Sequence, residues 1–366
     1  MQPTQHALKY TLRVTGPHAG QPGSGRIVVV GVGGAGNNTV TRLMESGISS
    51  AECIAVNTDA VHLQASKANQ KILIGERLTK GLGVGGDPRL GKAAIEESRQ
   101  LIEELLTNVE IAFITAGLGG GTGTGAAPMI AEIAKLKGAL TVGVMTTPFK
   151  MEKGRTQLAS KALTEMRRKC DTVVIIDNNR LVQLVPKLPM AEAFRVADQV
   201  LANMIKGIVE TISTPSLINL AVADFKTVVR KGGLAVVGFG ESSAPNRAEE
   251  AVRNALSTPL LDVDSAGATR ALIHVTGDSH MTIEEANHVG EIVTQMMDCN
   301  ARVIWGARVN PQQAGKLKVT LVMTGINKSH AVASLAKIAP HLYNMEPRAE
   351  PEKTLGIDLN LYQMEK

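Results

Sequence analysis

The segment Gly117-Leu-Gly-Gly-Gly-Thr-Gly-Thr-Gly125, with glycine at six of nine positions, decides the fold of this chain. It follows an apolar run at residues 111–115 and precedes a helix-like segment at 126–137. Glycine leaves little bulk between backbone N–H groups and a ligand, and it permits the positive φ angles that turn those groups inward. A helix that starts at such a loop adds the positive end of its dipole. The segment therefore predicts an anion-binding turn between a strand and a helix rather than a flexible linker.

A second glycine loop, Gly31-Val-Gly-Gly-Ala-Gly36, follows the first apolar run and precedes Asn37. Taken alone, it matches the G-x-G-x-x-G dinucleotide fingerprint, and Asp59 follows at about the 20-residue distance expected for the ribose carboxylate. A nicotinamide- or flavin-dependent oxidoreductase is therefore one interpretation. Because a plain dinucleotide site needs no further glycine loop on a later strand, the pair of loops favours a ligand with a longer polyphosphate.

The composition is that of a globular chain, and its 366 residues are enough for two domains. Its formal charge of +5 is spread along the sequence and aromatic residues make up only 2%, so we expect no nucleic-acid partner. No apolar run approaches the ~20 residues of a membrane helix and no signal-peptide pattern is present, which predicts a cytoplasmic protein without direct membrane insertion. Cys53, Cys170 and Cys299 form no C-x-x-C pair, which is typical of reduced thiols, with two of them expected in the core.

Short β-branched runs alternate with helical patterns from residue 26 onward. This alternation predicts an α/β fold with a doubly wound, mostly parallel sheet and ligands at the carboxyl ends of its strands. A long amphipathic pattern at 190–212 predicts a buried central helix, after which a smaller α/β domain begins. The predicted organisation is an N-terminal arm (1–25), a ligand-binding domain (26–189), the central helix (190–212), a C-terminal domain (213–326) and a tail (327–366). Predicted strands lie at 27–30, 53–57, 72–74, 111–115, 141–145, 172–176, 234–239, 271–276, 302–305 and 318–324.

One further pattern imitates a metal site. His280, Glu284 and His288 have the spacing of metal ligands on a helix. However, Thr282 and Glu285 form a capping box that would start the helix after His280. We therefore predict a surface helix at this position and assign no metal to protein ligands.

Gly119-Gly-Gly-Thr-Gly-Thr-Gly125 and Gly33-Gly-Ala-Gly-Asn-Asn38 together resemble the FtsZ branch of the tubulin superfamily, and archaeal FtsZ in particular. The resemblance covers roughly residues 26–326. Further matching segments occur in the same order: Asn57-Thr-Asp-Ala60, Gly81-Leu-Gly83, Thr147-Pro-Phe149, Ala193-Phe-Arg-Val-Ala-Asp198, Leu260-Leu-Asp-Val-Asp264 and Ile304-Trp-Gly306. The resemblance implies the tubulin/FtsZ fold, in which a GTP-binding domain, a central helix and a C-terminal domain form one subunit of a head-to-tail filament.

The resemblance also implies a role for each matched residue toward GTP or GDP, with Mg²⁺ accompanying the phosphates. Phe194 would stack on guanine and Asp198 would accept hydrogen bonds from its N1–H and exocyclic amine, although the helical register of Phe194 also fits simple core packing. The implied phosphate ligands are Gly33, Gly34, Ala35, Gly36, Asn37, Gly119, Gly120, Gly121, Thr122, Gly123, Thr124 and Gly125. The implied phosphate-sensing region contains Asn57, Asp59, Gly81 and Gly83, and the ribose and guanine site contains Glu152, Arg155, Asn178, Phe194 and Asp198.

Two positions depart from the family pattern. Thr156 stands where the family has its ribose arginine, so Arg155 is the candidate replacement. The family's catalytic segment carries two acidic residues, whereas Asn219-Leu-Ala-Val-Ala-Asp224 has Ala221 in place of the first. The resemblance implies that Asn219 and Asp224 of one subunit complete GTP hydrolysis on its neighbour, and the missing acid predicts slow turnover. A non-hydrolysing cytoskeletal paralogue is the alternative.

The segment Leu355-Gly-Ile-Asp-Leu-Asn-Leu361 places apolar residues in a polar, proline-containing tail. Short segments of this kind commonly become ordered on binding a partner. This one resembles the family's C-terminal peptides, which dock membrane-tethering adaptors such as SepF. We therefore expect two kinds of partner, further copies of this chain and such an adaptor, at a division ring at midcell. The alternative is that the segment packs back on its own domain.

Overall fold

The computed structural model describes residues 12–13, 25–179, 189–214, 216–256, 268–311 and 313–326. Most of the predicted N-terminal arm, the segment at 260–264 and the tail peptide at 355–361 lie outside this part of the chain. Within it, no helix is long and apolar enough to cross a bilayer.

The described strands form one 11-stranded sheet in the order β1-β4-β3-β2-β5-β6-β7-β8-β11-β9-β10. Their bounds are β1 Leu12–Arg13, β2 Arg26–Val32, β3 Glu52–Asn57, β4 Gln70–Leu73, β5 Val109–Gly117, β6 Leu140–Thr147, β7 Thr172–Asp177, β8 Gly233–Ser242, β9 Arg270–Gly277, β10 Arg302–Val309 and β11 Leu317–Thr324. Strands β4, β3, β2, β5, β6, β7 and β8 are parallel neighbours. The predicted doubly wound, mostly parallel sheet is therefore confirmed.

The C-terminal strands join the sheet through a short contact. β8 pairs with β7 at three residues only, from Thr172 opposite Gly233 to Val174 opposite Ala235. Beyond that contact, β11 runs antiparallel to both β8 and β9, and β10 is parallel to β9. The predicted C-terminal strands are all present, each extended by one to four residues at its ends.

Helices cover both faces of the parallel part of the sheet, and the last two pack on the C-terminal strands. They are α1 Gly33–Glu45, α2 Ala60–Ala65, α3 Glu76–Thr79, α4 Pro88–Glu97, α5 Arg99–Leu105, α6 Thr122–Leu136, α7 Lys153–Lys169, α8 Met190–Ser213, α9 Val222–Val229, α10 Arg247–Leu256 and α11 Ile283–Gln295. Side chains alternate between two cores along each strand: in β2, Val28 packs in the cluster that contains Ile130 of α6, and Val29 in the cluster that contains Ile205 of α8. Burial on both faces is typical of parallel sheets.

The central helix α8 has 24 residues and therefore spans about 36 Å. Its predicted apolar stripe is buried from Leu201 to Ile212, which confirms the connecting helix. The helix packs against α1, and Lys206 Nζ donates to the carbonyl oxygen of Ser46 just beyond α1. Phe194, near the other end, is 41% exposed, so simple core packing does not account for it.

The predicted capping box is present at the start of α11. Thr282 Oγ1 accepts the N–H of Glu285 at 3.1 Å, and the Glu285 carboxylate accepts the N–H of Thr282 at 2.9 Å. The helix therefore begins after His280. Among the described residues, no group of three or more His, Cys, Asp or Glu side chains could hold a metal ion.

The cysteines differ in exposure, and we predict that they differ in reactivity. Burial raises the pKa of the Cys53 and Cys170 thiols to about 12, whereas Cys299 is exposed. Because the thiolate is the reactive species, a thiol-specific reagent at pH 8 should modify one thiol per native chain quickly and all three only after unfolding. Mass spectrometry of the modified peptides checks this. In the control variant Cys299→Ser, rapid modification of the native protein would contradict the assignment.

Candidate functional site

The two glycine loops meet at the carboxyl edge of the sheet, because the strands that lead into them, β2 and β5, are parallel neighbours. A Cβ atom on Gly33 would stand 3.0 Å from the backbone nitrogen of Gly123, and one on Gly123 would stand 2.7 Å from the carbonyl oxygen of Gly117. Gly33 also has a φ of +71°, a region that favours glycine. Backbone therefore packs directly on backbone: a side chain at Gly33 would push the two loops apart, and one at Gly123 would collide with its own loop.

Both loops lead into helices that begin without a cap. α1 and α6 have no side-chain hydrogen bond at the N-cap and no acidic residue in the first turn. By contrast, Asp59, Asp87 and Thr282 cap α2, α4 and α11. Since the first N–H groups of a helix have no acceptor within the helix, α1 and α6 present free donors and two positive dipole ends to the same space. This arrangement favours an anion, and phosphate above all.

Threonine hydroxyls hold the second loop in shape. The N–H of Gly119 donates to Thr124 Oγ1 at 2.8 Å, and Thr124 is buried. Thr122 Oγ1 lies 2.7 Å from Thr58 Oγ1, on the segment that follows β3. At Gly120, no atom of the described residues lies within 4 Å of where a Cβ would stand. Hydrogen bonds thus hold the loop on both sides of Gly120, and the space beside Gly120 is open to a ligand.

The side chain of Asn37 faces the interior and is fully buried. In the amide orientation that satisfies both ends, its Nδ2 donates to the carbonyl oxygens of Gly31 at 2.9 Å and Gly33 at 3.2 Å. Its Oδ1 accepts from Asn57 Nδ2 at 3.0 Å. The amide supports the first loop from beneath, so Asn37 can contribute to an anion site through its backbone.

The segment after β3 and the loop at 81–83 form a third side of the site. Gly83 N–H donates to the carbonyl oxygen of Thr58 at 3.1 Å, and Asp59 forms an antiparallel bridge with the residue between the two loop glycines. Gly81 and Gly83 have φ angles of +76° and +78°, which glycine adopts without strain. Since Asn57 is bonded to Asn37, the structure brings the four residues of the predicted phosphate-sensing region next to the first glycine loop.

Glu152 and Arg155 pair with each other beside the second loop. The Arg155 guanidinium donates to the Glu152 carboxylate at 2.6 Å, and Glu152 also accepts the N–H of Phe149 at 3.2 Å. A Cβ on Gly119 would stand 2.9 Å from Arg155 Cβ. The start of α7 therefore lies against the loop, where two polar side chains can reach a ligand that extends away from the anion site.

The end of β7 carries an unsatisfied amide. Asn178 Oδ1 is buried and has no hydrogen-bond partner among the described residues. Its neighbour Asn179 is fully engaged: its Nδ2 donates to Asp177 Oδ1 at 2.6 Å, and its Oδ1 accepts the N–H of Lys150 at 2.8 Å. A buried acceptor without a partner is rare in proteins, so Asn178 is placed to meet a donor on a ligand. Sequence reasoning missed Asp177 and Asn179, although both adjoin Asn178.

Phe194 and Asp198 lie on one side of the N-terminal half of α8. The Phe194 ring is 5.4 Å from that of Phe149, in an edge-to-face arrangement. Burial raises the pKa of Asp198 to about 6, and the nearby Arg42 lowers it only in part. Asp198 accepts no hydrogen bond from the described residues. An exposed ring near a half-buried, unpaired carboxyl suits a flat heterocycle with paired donors. Phe149 ends the matching segment Thr147-Pro-Phe149, but the family resemblance alone does not assign it to the site.

The predicted catalytic residues lie elsewhere. Asn219 and Asp224 follow the far end of α8, and that helix is about 36 Å long. The Asp224 carboxylate accepts the N–H of Ala221 at 3.0 Å and caps α9. In the same helix, Lys226 pairs with Glu110 at the start of β5, whose other end leads into the second glycine loop. The structure therefore brings the residues predicted to form the nucleotide site together and keeps Asn219 and Asp224 apart from them.

Comparison with known proteins shows extensive similarity. The sequence model described as "Tubulin/FtsZ family, GTPase domain" matches residues 26–186, and the one described as "FtsZ family, C-terminal domain" matches residues 233–327. Cell division protein FtsZ 2 of Methanocaldococcus jannaschii is 49% identical over 342 residues, which are 92% of this chain and 90% of that protein. Cell division protein FtsZ 1 of the same organism is 51% identical over 302 residues, 82% and 83% of the two chains.

Solved structures agree with this result. The structure titled "FtsZ dimer, empty" from M. jannaschii has a TM-score of 0.79 and 50% identity, and the match covers 84% of this chain and 90% of that chain. CetZ1 from Haloferax volcanii, solved as a GDP-bound monomer, has a TM-score of 0.74 at 22% identity, covering 87% and 99%. The second likeness concerns the fold alone.

The raised pKa of Asp198 predicts a pH-dependent cost in stability. Between the ordinary Asp pKa of about 4 and the folded value of about 6, the folded state holds a proton that the unfolded state releases. The cost is therefore absent below pH 4, grows as the pH rises and is complete above pH 6. Asp198→Asn should raise the melting temperature of the ligand-free protein at pH 7.5 but not at pH 4. Glu192→Gln, exposed on the same helix, is the control, and an equal shift of Asp198→Asn at both pH values would contradict the prediction.

Proposed function

This chain belongs to the tubulin/FtsZ family, and we propose that it binds GTP and assembles head to tail into filaments that act in cell division. The observation that carries the proposal is the pair of uncapped helix N-termini, on α1 and α6, at two glycine loops in backbone contact. A glycine turn at a helix N-terminus binds phosphate groups through its backbone N–H groups. Two turns that face the same space support a triphosphate. The dinucleotide interpretation, by contrast, leaves the second loop without a role.

The order of the strands supports a proposed place for each part of GTP. Guanine would lie beyond β7, near Asn178, Phe194 and Asp198; the ribose beyond β6, near Glu152 and Arg155; and the phosphates beyond β5 and β2. These strands are consecutive neighbours in the sheet, about 4.8 Å apart. An extended nucleotide can therefore lie across the carboxyl edge from base to terminal phosphate.

Guanine selectivity would come from the polar groups that the chain leaves unpaired. The Asp198 carboxylate can accept from both N1–H and the exocyclic amine, two adjacent donors that adenine lacks. The buried Asn178 Oδ1 supplies a further acceptor. Phe194, held by Phe149, offers a flat apolar surface for the base.

Mg²⁺ would accompany the nucleotide and neutralise its clustered phosphate charge. The described residues contain no carboxylate or histidine cluster able to hold a metal ion. Mg²⁺ does not require such a cluster, because it commonly binds through substrate phosphates and retains several waters. We therefore propose no protein group as its direct ligand.

We propose that hydrolysis requires two subunits, because the site and Asp224 occupy opposite ends of α8. One subunit would hold GTP at its carboxyl edge, and the next would present Asn219 and Asp224 to the phosphates. Asp224 would orient the attacking water. Since the Ala221 side chain can neither accept a hydrogen bond from water nor act as a base, turnover would be slow. A chain with no turnover at all would be the non-hydrolysing paralogue.

The tail peptide Leu355-Gly-Ile-Asp-Leu-Asn-Leu361 is proposed to bind a membrane-tethering adaptor such as SepF and so to place filaments at the division site. Apolar residues in a polar, proline-containing segment support this proposal. Deletion of residues 352–366 should abolish adaptor binding while GTP-dependent assembly continues.

Binding selectivity tests the nucleotide assignment. Wild-type protein should bind GTP and GDP more tightly than ATP or NAD in a fluorescence competition assay. Asp198→Ala should weaken GTP binding by about 1–3 kcal/mol because two donors on the base lose their acceptor. ATP binding should change little, which serves as the internal control. Equal affinity of the wild type for ATP and GTP would contradict the assignment of Asp198.

Turnover and assembly test the catalytic part. Light scattering with GTP should show filaments, and phosphate release should be slow. Ala221→Asp should raise turnover, since a positioned acid–base group is worth on the order of 10²–10⁴-fold. The backbone at Ala221 has φ −77° and ψ 157° at an N-cap, where aspartate is favoured, so the variant should fold.

The matched variant is Asp224→Ala, which should abolish the remaining hydrolysis while GTP binding persists. Mixing Asp224→Ala subunits with subunits unable to bind GTP should restore some hydrolysis if the acid acts between subunits. A wild-type turnover of ~1 s⁻¹ or faster, unchanged in Ala221→Asp, would show that the alanine does not limit the rate.

A further inference from the structure

His62 lies beside the first glycine loop and has no role in the site as described so far. It belongs to α2, the short helix that Asp59 caps. Its Nε2 stands 3.9 Å from where a Cβ on Gly34 would lie, and no other non-adjacent atom of the described residues comes within 4 Å of that position. Gly34 is exposed in the first turn of α1. The imidazole therefore borders the open space above the phosphate loop.

The hydrogen-bond network determines which nitrogen of His62 carries the proton. Asn57 Oδ1 accepts the N–H groups of Thr58 at 2.9 Å and Asp59 at 3.3 Å, which fixes the orientation of the Asn57 amide. Its Nδ2 lies 3.5 Å from His62 Nδ1. Because Nδ2 can only donate, Nδ1 must accept. In the neutral ring, the proton is then on Nε2, the nitrogen that faces Gly34.

The same amide connects His62 to the loop beneath it. Asn57 Nδ2 has two protons, and the second is donated to Asn37 Oδ1 at 3.0 Å. Asn37 in turn supports the carbonyl oxygens of Gly31 and Gly33. His62 is thus oriented by the residues that shape the loop, so its Nε2–H and the loop N–H groups occupy fixed positions relative to each other.

The sheet order places His62 at one end of the ligand. The nucleotide proposed above runs from guanine at β7, through β6 and β5, to β2, and β3 is the next strand. His62 follows β3, on the side away from the base. A donor at His62 is therefore one strand beyond the first glycine loop. A triphosphate bound in this direction would place its terminal phosphate near His62, whereas a diphosphate would not extend that far.

We propose that His62 Nε2–H donates a hydrogen bond to the terminal phosphate of bound GTP and so increases the preference of this chain for the triphosphate over the diphosphate. The proposal rests on the proposed function. It makes His62 a specificity-determining residue, separate from the backbone donors, which hold the phosphates in both nucleotides.

Equilibrium binding of the full-length protein, below the concentration at which filaments form, tests the proposal. The probes are GDP and β,γ-methylene GTP, each competed against a fluorescent GDP analogue with Mg²⁺ present. His62→Ala should bind the triphosphate about tenfold more weakly, because a hydrogen bond to a charged group is lost, and GDP within about twofold of the wild type. His62→Gln, which keeps an N–H donor on a side chain of similar reach, should recover part of the loss.

The matched control is Val61→Ala, which alters the adjacent, largely exposed residue of the same helix and should leave both affinities unchanged. An equal loss for GDP and the triphosphate in His62→Ala would overturn the proposal and assign His62 to the shape of the loop. Unchanged affinities would overturn it as well. If the wild type binds neither guanine nucleotide, both this proposal and the proposed function are wrong, whereas normal wild-type binding with an unchanged ratio in His62→Ala rejects the role of His62 alone.

Discussion

The backbone contact between the two glycine loops is the constraint on which the rest of the structure depends. A Cβ on Gly33 would stand 3.0 Å from the backbone nitrogen of Gly123, so the two strand-to-helix turns lie in direct backbone contact. This proximity requires β2 and β5 to be neighbours, and it aims α1 and α6 at one space. The arrangement of the remaining strands then extends the site in both directions, toward β7 on one side and β3 on the other.

A site built this way is incomplete without its ligand. Two helix N-termini lack side-chain caps, a buried amide oxygen has no partner within the described part of the chain, and burial holds a carboxyl at a raised pKa. In the ligand-free protein, each of these features either destabilises the fold or contributes nothing to its stability. The proposed nucleotide would supply the missing partner in every case: phosphate oxygens for the N–H groups and base donors for the acceptors. Binding should therefore stabilise the fold by mass action.

Much of this architecture could be predicted from the sequence, because it depends on backbone preferences. Glycine loops predict turns, β-branched runs predict strands, and the apolar stripe at 190–212 predicts the central helix. The resemblance to FtsZ then assigns candidate site residues to these elements. The roles of those residues stay predictions. What sequence could not give is which side chains face each other across the fold. Asn37 faces inward, Glu152 pairs with Arg155, and Phe149 contacts Phe194. His62 escaped notice because only the register of α2 against α1 brings it to Gly34.

If Asn219 and Asp224 have the catalytic role proposed for them, the central helix keeps a complete catalytic site from forming within one subunit. It is about 36 Å long and packs against α1, and Asp224 follows its far end, so a change of side-chain rotamer cannot bring that carboxylate to the glycine loops of its own chain. In the proposed mechanism, the acid would reach a phosphate only when another subunit stacks on the carboxyl edge. If hydrolysis depends on that stacking, then assembly precedes it and the lifetime of a filament follows the rate of the chemical step. Ala221 lies on the segment that would set this rate and not on the segment that binds the nucleotide. A single substitution there can therefore change how long filaments persist without changing whether they form.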